Sequence, residues 1–217
     1  LKTSDNTHIG EIDRVATPNT STMIDRYAIA SHWCKDKSVL DAACGYGYGS
    51  GILQALGASS VHGIDLDSDA CDEAFRRMTS SRMKFTAIDI FQLKEYFKSH
   101  KFDVCTSIET FEHLPPERIG EYLQSIKSVT KETIIISTPK RKTPTWTYNG
   151  GTHLYEYDPL EFGTILYENF PDDEIKTFGI IEVPLEQGNI LQWGSALTTN
   201  WNESWIMLAV INLKGTE

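Results

Sequence analysis

The chain has 217 residues, 40% hydrophobic and 23% charged, the make-up of one ordinary globular domain. Lys and Arg number 20 against 30 Asp and Glu, a net charge of −10. That argues against a broad nucleic-acid or anionic-membrane surface, because both need clustered cations. The longest apolar stretch, WIMLAVINL, is about half of what a membrane helix needs, so no membrane insertion is expected.

The N-terminal stretch LKTSDNTHIGEID is polar, without the apolar core of a signal peptide. Residues 1–20 carry little apolar periodicity and read as a flexible arm or lid before a single domain, 21–217. Within 21–33, Met23, Ile24, Tyr27 and Ala30 recur at helical spacing. Strand-like and helix-like segments then alternate. SVLDAA, SVHGIDL, MKFTAID, FDVCTSIE and ETIIIST read as strands, and GSGILQALG and SDACDEAFRRMTSS as helices. PPERIGEYLQSIKSV is the clearest helix, with prolines at its start and Ile119, Tyr122, Leu123, Ile126 and Val129 on one face. A loop (139–157), a helix PLEFGTILYENF and two strands, around IKTFGIIEV and WIMLAVINL, complete the chain. The alternation predicts an α/β, Rossmann-like fold, a mostly parallel sheet with helices on both faces. Cys34, Cys44, Cys71 and Cys105 form no C-x-x-C pair and read as reduced thiols of a cytoplasmic protein.

The most informative stretch is VLDAACGYGYGSG, where an apolar run ends in Asp41 and Gly45, Gly47, Gly49 and Gly51 follow at every second position. Glycine permits positive φ and lets a ligand lie on the backbone. The dinucleotide pattern G-x-G-x-x-G fails, because Ser50 or Ile52 stands at its last position. A carboxylate beside the turn repels phosphate and suits a ligand carrying an ammonium group.

VLDAACGYGYGS, VHGIDLD, AIDIF, FDVCTSIETFEHL and IIISTPK stand in an order and spacing that resemble the class I S-adenosylmethionine-dependent methyltransferases, from about Tyr27 to Phe162. The resemblance implies a seven-stranded sheet and S-adenosylmethionine as cofactor. Ala43, Cys44, Gly45 and Gly47 would pack their backbone on its methionyl part. Asp41 would order that turn or hold the amino group through water. Asp65 would accept from the ribose hydroxyls and Asp89 from the adenine amino group. Leu66 and Ile90 would pack on adenine, and Ile108 would close over the methionyl end. Taken alone, an Asp at a strand end is usually a turn or cap residue. Asp65 and Asp89 rise above that because both fall in register with the glycine turn.

The chemistry should follow the fourth strand, in IETFEHL. A helical turn would place Glu109, Glu112 and His113 on one face, with His113 the candidate general base and Glu109 beside it. E-x-x-E-H with a distant His153 is also similar to the metal pattern of small-RNA 3′-end 2′-O-methyltransferases, in which Glu109, Glu112, His113 and His153 would hold Mg²⁺ or Mn²⁺. The text ET-x-EHL … STP … H-x-x-E, the last being His153 to Glu156, also looks like methyltransferases associated with surface-polysaccharide biosynthesis, which need no metal for this reason alone. The chain's acidity weighs against RNA. The leading reading is O-methylation of a small-molecule or glycan-like acceptor. Metal-assisted methylation of an RNA end and a non-catalytic cofactor-binding protein are the alternatives. Lys140, Arg141 and Lys142 form the basic cluster that could hold an anionic group of the acceptor or stay a solvated loop. Trp146, Tyr148, Tyr155 and Tyr157 beside it would suit a sugar or aromatic acceptor, or serve packing. Trp193, Trp201 and Trp205 carry no assigned role.

Overall fold

A computed structural model describes residues 18–78, 80–141, 153–187 and 190–215. The expected arm therefore lies outside the described residues except for its last three, which open helix α1 (Pro18–Cys34). The chain continues through β1 (Ser38–Ala42), α2 (Tyr48–Ala55), β2 (Ser60–Asp65), α3 (Ser68–Arg77), β3 (Met83–Ala87), α4 (Leu93–Phe97) and β4 (Phe102–Ile108). It ends with α5 (Ile119–Ser128), β5 (Thr130–Pro139), α6 (Pro159–Asn169), β6 (Glu174–Gln187), β7 (Ile190–Thr198) and β8 (Ile206–Asn212).

The strands form one sheet of order β3-β2-β1-β4-β5-β8-β6-β7. The first five run parallel, and β8, β6 and β7 join antiparallel. The sheet thus has eight strands where seven were expected. The eighth is β7, whose Gln192, Gly194 and Ser195 interrupt the apolar alternation that would have marked it as a strand. It forms because β6, 14 residues long, outruns β8: Glu174–Ile180 pair with β8 and Gly179–Gln187 with β7.

Alternate side chains of the central strands build two cores. Leu40, Cys105, Ile134 and Ile136 face α5 and α6, meeting Tyr122, Leu123, Ile126 and Phe162. Val39, Val104 and Ile135 face the other way, onto Tyr27, Ala30 and Leu53 of α1 and α2. This period of two is what a sheet covered on both faces requires. The apolar face predicted for α5 is buried throughout. At β1 the strand order reverses between β2 and β4, so a crevice opens beyond the carboxyl ends of β1 and β4. No helix among the described residues is long and apolar enough to cross a membrane. All four cysteines are buried and free.

Candidate active site

The turn after β1 is held from below. Asp41 is fully buried and accepts hydrogen bonds from Ser50 Oγ (2.6 Å), Thr106 Oγ1 (2.9 Å) and Tyr27 OH (3.2 Å), joining β1 to α2, β4 and α1. Burial pushes its carboxyl up to about 6, against the pull of those three hydroxyls. Asp41 therefore orders the turn and does not face the crevice. Ala43, Gly45 and Gly47 all adopt the left-handed region, with φ of +61°, +52° and +77°. A Cβ on Gly45 would meet nothing within 4 Å, so that backbone lies open to a ligand. A Cβ on Gly49 would stand 2.0 Å from the Tyr27 ring, so this glycine serves the packing of α1. Cys44 is also directed inward, near Gly63 of β2.

Asp65, at the end of β2, accepts from Gly45 N–H (2.7 Å) and Asp67 N–H (2.9 Å). Each carboxylate oxygen keeps lone-pair capacity for a further donor. Beside it a cleft is lined by Leu66, Ile88, Asp89 and Tyr96, with Leu66 75% exposed. Asp89 uses one oxygen to cap the 3₁₀ turn Ile90–Gln92 through Phe91 N–H (3.0 Å). That turn packs Ile90 beneath α5, and Ile88, in the same core, also reaches the cleft. Ile108 is 5% exposed and belongs to the core beneath α1.

Beyond β4 the expected helical turn does not form across Glu109. Glu109 lies in the left-handed region (φ +55°), and the 3₁₀ turn begins only at Phe111. Its carboxylate accepts from Ser137 Oγ (2.8 Å) and pairs with Arg26 (3.4 Å). Glu112 and His113 do come together with His153. Glu112 is fully buried and accepts from Thr138 Oγ1 through Oε2 (2.9 Å). Its Oε1 has no hydrogen-bond partner among the described residues and faces His113 Nε2 (3.8 Å) and His153 Nε2 (4.0 Å). The two imidazoles meet edge to face, centroids 4.9 Å apart. The Glu112 carbonyl accepts from Leu154 N–H (2.7 Å), which brings the His153 segment to this place. Burial, and then the Glu109 charge, push the Glu112 carboxyl well above the usual range.

The four residues expected to hold a metal are thus only partly assembled. Glu112, His113 and His153 bring ligand atoms within 4.8 Å of one another, while Glu109 is held by Ser137 and Arg26. One carboxylate and two imidazoles can hold a divalent ion, and the orphaned, buried Oε1 fits such a role. Glu156, the acidic end of the H-x-x-E text to which the sequence reading gave no role of its own, touches His153 Nδ1 through Oε1 at 2.8 Å. The i, i+3 spacing from His153 was its available signal.

The basic cluster has structural duties. Arg141 pairs with Asp158 (2.7 Å) and Glu161 (3.2 Å) and donates to Tyr155 OH (2.9 Å), clamping the capping box that starts α6. Lys140 donates to the carbonyl of Trp201. Both are engaged within the protein, and Lys142, Trp146 and Tyr148 lie outside the described residues. Tyr157 is buried against Phe111 in the core.

Residues 39–133 match the family described as "Methyltransferase domain". The chain has the fold of solved methyltransferases, and this part of it matches a methyltransferase domain. Among solved structures it is similar to magnesium protoporphyrin IX methyltransferase from Synechocystis PCC 6803 with bound SAH, at 20% identity over 93% of this chain and 85% of that one, TM-score 0.63. It is similar to the 1,6-didemethyltoxoflavin-N1-methyltransferase of Burkholderia thailandensis, at 18% identity over 98% and 86%, TM-score 0.65. The methyltransferase domain of bacterial CtHen1 is similar at 17% identity over 89% and 99%, TM-score 0.65. No curated protein matches the chain.

Proposed function

We propose that this methyltransferase moves the methyl group of S-adenosylmethionine to an oxygen of a small-molecule or glycan-like acceptor, with an imidazole of the Glu112–His113–His153 cluster taking the hydroxyl proton. Methyl transfer from a sulfonium is an in-line displacement by an already activated donor. The protein has to position the acceptor and remove its proton. The observation that carries the reading is the buried, unsatisfied Glu112 Oε1 with two imidazole Nε2 atoms about it, just beyond β4 beside the crevice. A hydroxyl there could donate to a ring nitrogen. Asp65, Asp89 and Leu66 would hold the nucleoside, and the open backbone at Gly45 the methionyl part.

The same three side chains support a second reading. Glu112, His113 and His153 would hold Mg²⁺ or Mn²⁺, which would polarise the acceptor oxygen when bound. One experiment separates the two. S-adenosylhomocysteine release is measured against sugars, nucleotide sugars, phenols and short RNAs, each with EDTA or Mn²⁺. Turnover of a sugar or phenol hydroxyl that EDTA leaves intact is expected. Loss with EDTA and recovery with Mn²⁺ would establish the metal reading. Release with amines alone, or with none of these, would overturn oxygen transfer.

A further inference from the structure

Two imidazoles share the cluster, and their surroundings differ. We infer that His153, held by Glu156, is the proton acceptor, and that Glu156 is a positioning residue for it. This rests on the reading that the cluster receives an acceptor hydroxyl. His153 Nδ1 lies 2.8 Å from Glu156 Oε1, and the Glu156 side chain is only 12% exposed. An ionised carboxylate can only accept, so Nδ1 carries the hydrogen. In the neutral ring Nε2 is then bare, and it is Nε2 that faces the cluster, 4.0 Å from Glu112 Oε1. The Leu154 and Tyr155 amides, both donating to the Glu112 carbonyl (2.7 and 3.2 Å), fix the segment on which His153 sits.

In the step itself the acceptor O–H bond breaks and its proton goes to His153 Nε2. The oxygen forms a bond to the sulfonium methyl carbon as the carbon–sulfur bond breaks, its electron pair passing to sulfur. S-adenosylhomocysteine, the methyl ether and an imidazolium result, and the ring returns its proton to solvent. The Glu156 carboxylate faces the positive charge the ring acquires and prevents the ring from turning.

Two measurements test this. Ring-nitrogen NMR of His153 in the wild-type protein, without any acceptor, should show a protonated Nδ1 and a bare Nε2. Glu156→Ala should shift the proton toward Nε2, while His113 keeps its signals. A bare Nδ1 in the wild type would overturn the inference even if oxygen transfer is confirmed. With the turned-over acceptor, His153→Ala should lower kcat by about 10²–10⁴. Glu156→Gln should lower kcat with little change in the acceptor's KM, and Glu156→Asp should recover part of the loss. Calorimetry showing unchanged S-adenosylmethionine affinity keeps these variants interpretable as folded proteins. His113→Ala should lower kcat less than His153→Ala does. A kcat that collapses in His113→Ala and survives in His153→Ala would reverse the assignment. If the wild type methylates no hydroxyl, oxygen transfer fails and His153 loses its role as proton acceptor; the NMR result then judges only the positioning by Glu156.

Discussion

Asp41 shows how one buried carboxylate can govern the whole crevice. Three hydroxyls aim at it, and burial still lifts its carboxyl to about 6, above the usual carboxylate value. Between pH 4 and pH 6, approximately, the unfolded chain has lost this proton while the folded chain keeps it. Stability should therefore fall as pH rises through that window, by on the order of 3 kcal/mol, and then level off. Urea titrations at intervals of pH check this. The slope should flatten in Asp41→Asn, whose amide keeps the shape without a charge. A slope unchanged in that variant would assign the effect to another group. Asp65 works differently, at the surface of the crevice. Its bonds to Gly45 and Asp67 N–H shape the turn and leave lone pairs outward. Asp65→Ala should weaken S-adenosylmethionine by roughly 2–3 kcal/mol, the size of lost hydrogen bonds to a charged group. Equal affinity by calorimetry would remove Asp65 from the cofactor site.

At the scale of elements, legibility followed periodicity. Helix α5 and the five parallel strands were readable because their apolar residues repeat at 3.6 or 2.0 or run continuously. Strand β7 and the short α4 were not, since neither carries a sustained apolar pattern. What depends on backbone was readable: the glycine turn after β1 takes up positive φ, and Asp65 stands at the end of β2 beside it. The site was misread where side chains choose partners across the fold. Nothing local marks Glu109 as a partner of Arg26 and Ser137, or Arg141 as a clamp on α6. The Arg141 finding has a direct consequence. Arg141 closes on Asp158, which caps α6 by accepting from Leu160 and Glu161 N–H. Asp158→Ala should cost about 1 kcal/mol, the usual worth of such a cap. Arg141→Ala should also lower the melting temperature and leave the acceptor's KM nearly unchanged. A large rise in that KM with unaltered stability would restore the anion-binding role.

Over the whole molecule, charge and architecture bear on the acceptor together. The sheet carries the glycine turn on its parallel half, and the antiparallel strands β8, β6 and β7 continue it beyond β5. Such a scaffold serves many acceptors, so the choice among them rests on what surrounds the crevice. Among the described residues that is largely acidic or committed. Asp65, Asp89, Glu109 and Glu112 lie at the strand ends, and the nearby Arg26, Lys140 and Arg141 are each engaged within the protein. A phosphate backbone is bound chiefly by free Lys and Arg, with counterion release setting its strong salt dependence. With a net charge of −10, short RNA should therefore bind weakly. Fluorescence anisotropy with a labelled single-stranded RNA at physiological salt should show no saturation up to tens of micromolar, roughly where non-specific binders already respond. Saturation well below that, weakening steeply as salt rises, would reveal a cationic track on this chain. It would also shift the acceptor from a glycan-like hydroxyl toward the ribose of an RNA end.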